Sequence, residues 1–113
     1  MNARDVVSAI KDSAIMGGLG FCVGHLNGTA PEKVALIFAV ATLATRLIYQ
    51  LEVYLHTDRN GVRNYKASLD ANNVSALAIH LISTCVLYRM RLIDYSWAMG
   101  LTGLSIAVFL FNG

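Results

Sequence analysis

The residues of this chain best suited to chemistry lie on one face of a long apolar segment, residues 31–56. They recur at steps of three and four positions, which places side chains on one side of an α-helix: Thr42, Thr45, Arg46, Tyr49, Glu52 and His56. The opposite face consists mainly of leucine, isoleucine and valine. A segment long enough to cross a bilayer therefore carries a polar stripe, with an arginine just past its middle.

Arg46 is the most unusual residue of this stripe. A charged side chain inside a membrane span costs about 2.5–3.5 kcal/mol on insertion scales, so it normally faces a partner or water. Arg46 could contact a substrate, an ion, a quinone or another subunit. The more ordinary interpretation is that it snorkels to the interface or pairs within the bundle. Glu52 and His56, four residues apart, are expected to form a pair near the end of the helix.

A second polar face is predicted on the next apolar segment, around His80 and Thr84. A lone histidine on such a face is usually a hydrogen-bonded packing residue, but it can also be a haem ligand or a proton relay. His80 is therefore the candidate cofactor-binding residue, although the sequence implies no particular cofactor. If the first two helices both span, His25 and His56 lie near opposite membrane surfaces, so we expect the three histidines not to share a metal ion.

The elements that hold these residues are predicted to be membrane helices. Hydrophobic residues make up 56% of the 113-residue chain and charged residues 14%, whereas soluble domains are about a quarter charged. The apolar residues fall in four blocks, so we predict one all-α domain, 1–113, an integral membrane bundle with helices at about 3–26, 31–56, 73–89 and 93–111. Three spans with the first helix on the membrane surface is the alternative, because its uncharged part covers only about a dozen residues. A soluble all-α bundle is the other alternative.

Local signals predict where the second and third helices begin. Thr29, Pro31 and Glu32 match a capping box, with Thr29 as the N-cap and Glu32 reaching back to it. Residues 57–72 form a polar stretch that we interpret as a loop, with Asp70 or Asn72 capping the third helix.

Small residues recur at helical spacing on the first and fourth helices. Such ladders allow two membrane helices to approach closely, so five glycines are predicted to serve helix packing: Gly20, Gly24, Gly28, Gly100 and Gly103. Ser96 and Ala107 continue the stripe on the fourth helix. The two cysteines, Cys22 and Cys85, lie within apolar blocks and are interpreted as packing residues.

The charges indicate an orientation and exclude one class of partner. With four spans, the side that holds both termini and the polar loop has five lysines and arginines against three, which favours a cytoplasmic N-terminus. If the first helix does not span, the count of lysines and arginines favours the opposite orientation, with residues 57–72 facing out. A net charge of +2 without a basic cluster argues against nucleic-acid binding. The N-terminus does not resemble a signal peptide, so we expect it to stay in the mature protein.

The sequence contains no nucleophile motif, phosphate-binding loop or paired carboxylates, so we predict a non-catalytic protein. The leading hypothesis is a small multi-pass membrane protein that acts through helix–helix association, as a homo-oligomer or as an accessory subunit of a larger membrane complex. Its expected partners are the lipid bilayer, itself or other membrane subunits, and the sequence does not identify the membrane. The alternatives are a holin-like pore and a haem- or quinone-binding membrane anchor.

Overall fold

The computed structural model describes residues 3–62 and 64–112, and this part of the chain is all-helical. Its helices are α1 (Ala3–Leu26), α2 (Pro31–Leu55), α3 (Tyr65–Arg89) and α4 (Tyr95–Asn112). Helices α1 to α3 are each long and apolar enough to cross a membrane, and α4 is a shorter apolar helix. The prediction of an all-α membrane bundle with four helices is confirmed. The helix that falls short in length is α4 rather than α1.

Each helix packs in an antiparallel manner against the helix next to it in the chain. The contact between α1 and α2 is the most extensive, followed by those of α2 with α3 and α3 with α4. Short connections force this order, because loops of a few residues can join only neighbouring helices. The fold is therefore a chain of three helical hairpins that share their middle helices.

The first hairpin is held by contact between a glycine face and a neighbouring backbone. A Cβ atom placed on Gly24 would lie 2.7 Å from the Cα atom of Pro31, and one on Gly20 would lie 2.8 Å from the carbonyl oxygen of Val34. Both glycines are buried. In lipid, helices associate mainly through such close packing, because the surrounding acyl chains are as apolar as the side chains.

Gly28 has a different role from the one predicted for it. It lies after the end of α1 and has a φ of +65°, and a Cβ atom placed on it would have no heavy atom within 4 Å. In this left-handed conformation a glycine is favoured because it has no Cβ atom. Gly28 therefore forms the turn between α1 and α2, whereas Gly20 and Gly24 make the close contacts.

The predicted capping box at Thr29 is wrong. The N-cap of α2 is Ala30, and its side chain accepts no hydrogen bond. The hydroxyl of Thr29 instead donates to the carbonyl oxygen of Leu92 at 2.7 Å, in the turn between α3 and α4. The side-chain oxygen of Asn27 accepts a bond from the backbone N–H of Asp94 at 3.2 Å. These two bonds join the α1–α2 turn to the α3–α4 turn.

The core lies at this same end of the bundle. Val34, Leu87, Leu92 and Ile93 form a buried cluster, and Trp97 packs against it. Since Leu92 both lies in the core and accepts the bond from Thr29, apolar packing and hydrogen bonding fix the same turn. Both kinds of contact therefore hold this end of the bundle together.

Helix α3 begins at Tyr65, eight residues before the predicted start at residue 73. Its N-cap is Asn64, whose side-chain oxygen accepts a hydrogen bond from the N–H of Ala67 at 3.2 Å. Asp70 and Asn72 consequently lie inside the helix and do not cap it. The polar composition of residues 65–72 suggested a loop, but Lys66, Ala67 and Leu69 favour helix and a good N-cap precedes them.

Adding a methyl group to the glycine face should separate the first hairpin. We expect Gly24→Ala to lower the free energy of unfolding by about 1–3 kcal/mol, because the new Cβ atom meets backbone that cannot rotate away. Gly18→Ala is the matched control, since Gly18 lies on the same helix with nothing within 4 Å. Unfolding of the purified protein in mixed micelles, followed by circular dichroism, measures both. Equal stability of the two variants would contradict the packing role.

Candidate functional site

Arg46 forms an ion pair with a residue of a different helix. Its Nη2 atom donates to Oδ2 of Asp12, so the pair joins α1 to α2. The side chains of Arg46 and Asp12 are 41% and 35% exposed. The guanidinium is thus neutralised within the chain, while both groups remain accessible from the bundle surface.

We call the end of the bundle that holds the two joined turns the turn end, and the Asp12–Arg46 pair lies far from it. By the helical rise of 1.5 Å per residue, Arg46 is about 22 Å from Pro31 and Asp12 is about 21 Å from Leu26. Helix α4 starts at the turn end and runs about 24 Å from Tyr95 to Phe111. The ion pair therefore lies at the level where α4 ends, and only α1, α2 and α3 continue beyond it.

The ion pair forms one wall of an open cleft of about 350 Å³ between α1, α2 and α3. We call this the polar cleft, and its polar lining residues are Asp12, Thr42, Thr45, Arg46 and His80. The structure thus brings His80 of α3 to the same cleft as three members of the α2 stripe. Of the residues predicted on the two polar faces, Thr42, Thr45, Arg46 and His80 therefore lie together at one site.

A second space, the central cavity, has a volume of about 250 Å³ and is lined by all four helices. Its lining is mostly apolar, with Phe38, Leu87 and Leu101 among the contributors. Met16, Thr42 and His80 line both the central cavity and the polar cleft, so the two spaces adjoin.

The hydroxyl groups along the central cavity are directed back to their own helices. Those of Ser83 and Thr84 donate to the carbonyl oxygens of Ile79 and His80, at 2.7 and 2.8 Å. Thr42 and Ser105 donate in the same way to Phe38 and Leu101, both at 2.9 Å. Such back-bonding occupies the hydroxyl proton. The imidazole of His80, by contrast, has no hydrogen bond within residues 3–62 and 64–112, and this residue is exposed.

The remaining members of the predicted stripe do not join this site. The Nδ1 atom of His56 lies 3.6 Å from Oε2 of Glu52 and 2.9 Å from the carbonyl oxygen of Glu52. Tyr49 is half-buried on the same stretch of α2, and Thr84 lines the central cavity rather than the polar cleft. Glu52 and His56 thus form a pair at the end of α2, near the connection to α3.

The sequence predicted a polar face around Arg46 but did not identify Asp12 as the partner of Arg46. The signal was present, because the two residues are almost equally far from the turn at residues 27–30. In an antiparallel hairpin, equal distance from the turn places two residues side by side.

Helix α4 carries the other predicted feature, the small-residue stripe. Gly100 and Gly103 are exposed, and nothing lies within 4 Å of the position of a Cβ atom on either. Ser96 and Ala107 are exposed as well. Within the described part of one chain, the two glycines therefore make no close contact with another helix.

Neither a metal-binding cluster in the described residues nor a similar known protein gives evidence about the function. Among residues 3–62 and 64–112, no group of three or more histidine, cysteine, aspartate or glutamate side chains is placed to hold a metal ion. Comparisons with protein-family models, curated proteins and solved structures gave no significant match.

Replacing both residues of the Asp12–Arg46 ion pair should destabilise the protein less than replacing Asp12 alone. Asp12→Leu should destabilise the protein by about 1–3 kcal/mol, because it leaves the guanidinium of Arg46 without a partner. The double variant Asp12→Leu/Arg46→Leu should recover most of that loss, since it removes both charges together. Unfolding in mixed micelles of the wild type, both single variants and the double variant completes the cycle. Additive effects would show that the two residues do not interact.

Proposed function

We propose that this chain is a non-catalytic membrane protein that self-associates through the exposed small-residue face of α4. The observation that carries the proposal is the open space around Gly100 and Gly103, within a short apolar helix. We call this surface the α4 face, and it consists of Ser96, Gly100, Gly103 and Ala107.

The first hairpin gives the reason for expecting a partner on the α4 face. Glycine in a helix costs roughly 1 kcal/mol relative to alanine, and on α1 the close contact with α2 offsets that cost. On α4, Gly100 and Gly103 incur the same cost without a close contact in the described chain. A shallow groove of about 350 Å³ lies at the Ser96 and Gly100 end of this surface, beside Trp97 and Leu104.

A second copy of the chain is the occupant that fits the α4 face best. Helix α4 contains no charged residue, so it has no electrostatic feature that would select a different partner and none that would repel a copy of itself. A face of small residues is self-complementary under two-fold symmetry, because two helices can cross at it with their backbones in contact. The proposed assembly is therefore a homodimer.

The α4 face can be blocked without disturbing the monomer. We expect Gly100→Leu and Gly103→Leu to weaken dimerisation at least tenfold, because a leucine side chain keeps the two backbones apart. Gly18→Leu is the matched control, because Gly18 also has open space around it but lies on α1. Energy transfer between donor- and acceptor-labelled copies in vesicles, over a range of protein-to-lipid ratios, measures the equilibrium. Circular dichroism checks that each variant keeps its helices.

Two results would contradict the homodimer. One is energy transfer no greater than random encounters give at any protein-to-lipid ratio; the other is equal transfer for Gly18→Leu and Gly100→Leu. If a cysteine placed at Ser96 instead crosslinks in native membranes to another protein, the chain is an accessory subunit.

The pore and the haem or quinone anchor rank behind self-association. A pore needs polar groups facing water through the bilayer, whereas the hydroxyls of Ser83 and Thr84 bond to their own helix. A haem anchor would rest on His80 as its axial ligand. Because His80 lies beside a mainly apolar cavity, we consider an amphiphilic ligand at this position in place of haem.

A further inference from the structure

The polar cleft and the central cavity adjoin, since Met16, Thr42 and His80 line both. The exposed surface of both spaces is mainly apolar, and the Asp12–Arg46 pair adds charged groups at the cleft alone. A ligand that filled both would need a polar end beside the ion pair and an apolar remainder.

The polar groups of this space lie deep in the span, and the apolar cavity lies on one side of them. Measured along α3 from Arg89, the central cavity starts near Leu87 at about 3 Å, and His80 lies at about 14 Å. The Asp12–Arg46 pair is further along in the same direction, at about 21–22 Å from the turn end. The apolar part of the space therefore points toward the joined turns, and a head group at the ion pair would lie near the middle of the α2 span.

The polar cleft offers hydrogen-bond donors. Arg46 uses Nη2 for Asp12, and no other bond of its guanidinium to the described residues is present, so further N–H groups of its five can donate. The imidazole of His80 is likewise free to donate from one ring nitrogen. Asp12 holds the guanidinium in place, and the pair can still bind an acceptor oxygen of a ligand.

The volume limits the ligand to a slender molecule. The central cavity of about 250 Å³ lies just below the range of about 300–1,000 Å³ typical of small-molecule sites. It can admit part of one hydrocarbon chain, whereas the two chains of a phospholipid would exceed it.

We propose that the polar cleft and the central cavity together bind a single-chain amphiphile whose head group carries an acceptor oxygen, a carboxylate or a carbonyl. The head group accepts hydrogen bonds from Arg46 and His80, and the chain lies between Phe38, Leu87 and Leu101. The α4 face is not part of this site, so the proposal is independent of the proposed dimer.

Titration with a fluorescent long-chain fatty acid tests the proposal on the full chain in nanodiscs. We expect saturable binding at one site per chain. His80→Leu should weaken it at least tenfold by removing a donor, and Ser105→Phe should do so by filling the cavity. Ala78→Phe is the matched control, since Ala78 is exposed on α3 and lies outside the lining of both spaces; its affinity should stay within twofold of the wild type.

Competing ligands identify the head group. Displacement of the probe by an unlabelled fatty acid but not by a long-chain quinone assigns a site selective for carboxylates, and displacement by both assigns a site that accepts any acceptor oxygen, a carbonyl included. Hexadecane, which has no acceptor, should not displace the probe. Non-saturable partitioning, or equal affinity of the wild type, His80→Leu and Ser105→Phe, would overturn the proposal. If Ser105→Phe loses its helical circular dichroism signal, the affinity of His80→Leu decides the test. His80 is exposed, and replacing its side chain removes no hydrogen bond among the described residues.

Discussion

The close approach of α1 and α2 at Gly20 and Gly24 determines where the other polar groups of this protein lie. Hydrocarbon surroundings give helices little hydrophobic reason to associate, so contact between backbones must supply much of the attraction. Once the two helices meet at these glycines, their antiparallel register is set. That register brings Asp12 beside Arg46 at the far end of the hairpin, where the two charges neutralise each other.

The rest of the bundle is organised from the opposite end. The hydrogen bonds from Thr29 to Leu92 and from Asp94 to Asn27 join two turns, and the buried cluster around Val34 and Leu87 lies directly beneath them. From this fixed end the helices extend with less contact between α4 and the first hairpin. The central cavity lies between the four helices, and the polar cleft lies beyond it, at the level where α4 ends.

The sequence predicted what depends on composition and local periodicity. Four apolar blocks indicated four helices, and the ends of α1 and α2 agreed within a residue because Gly28, Pro31 and His56 lie where turn or cap chemistry is strong. Contacts between residues far apart in the sequence were harder to predict. Thr29 had a plausible local role as a cap, but a carbonyl in another turn, 63 residues away in sequence, accepts the bond from its hydroxyl. The start of α3 was missed because polarity was given more weight than helix propensity and the cap at Asn64.

The central claim is that the exposed leucine, isoleucine and valine side chains face lipid rather than water. Flotation on a density gradient after alkaline carbonate extraction of membranes containing the chain tests it most directly, because aggregated protein sediments while embedded protein rises with the lipid. We expect the chain to float with the membrane fraction. Recovery of the chain as a dispersed protein in the carbonate supernatant would contradict the claim.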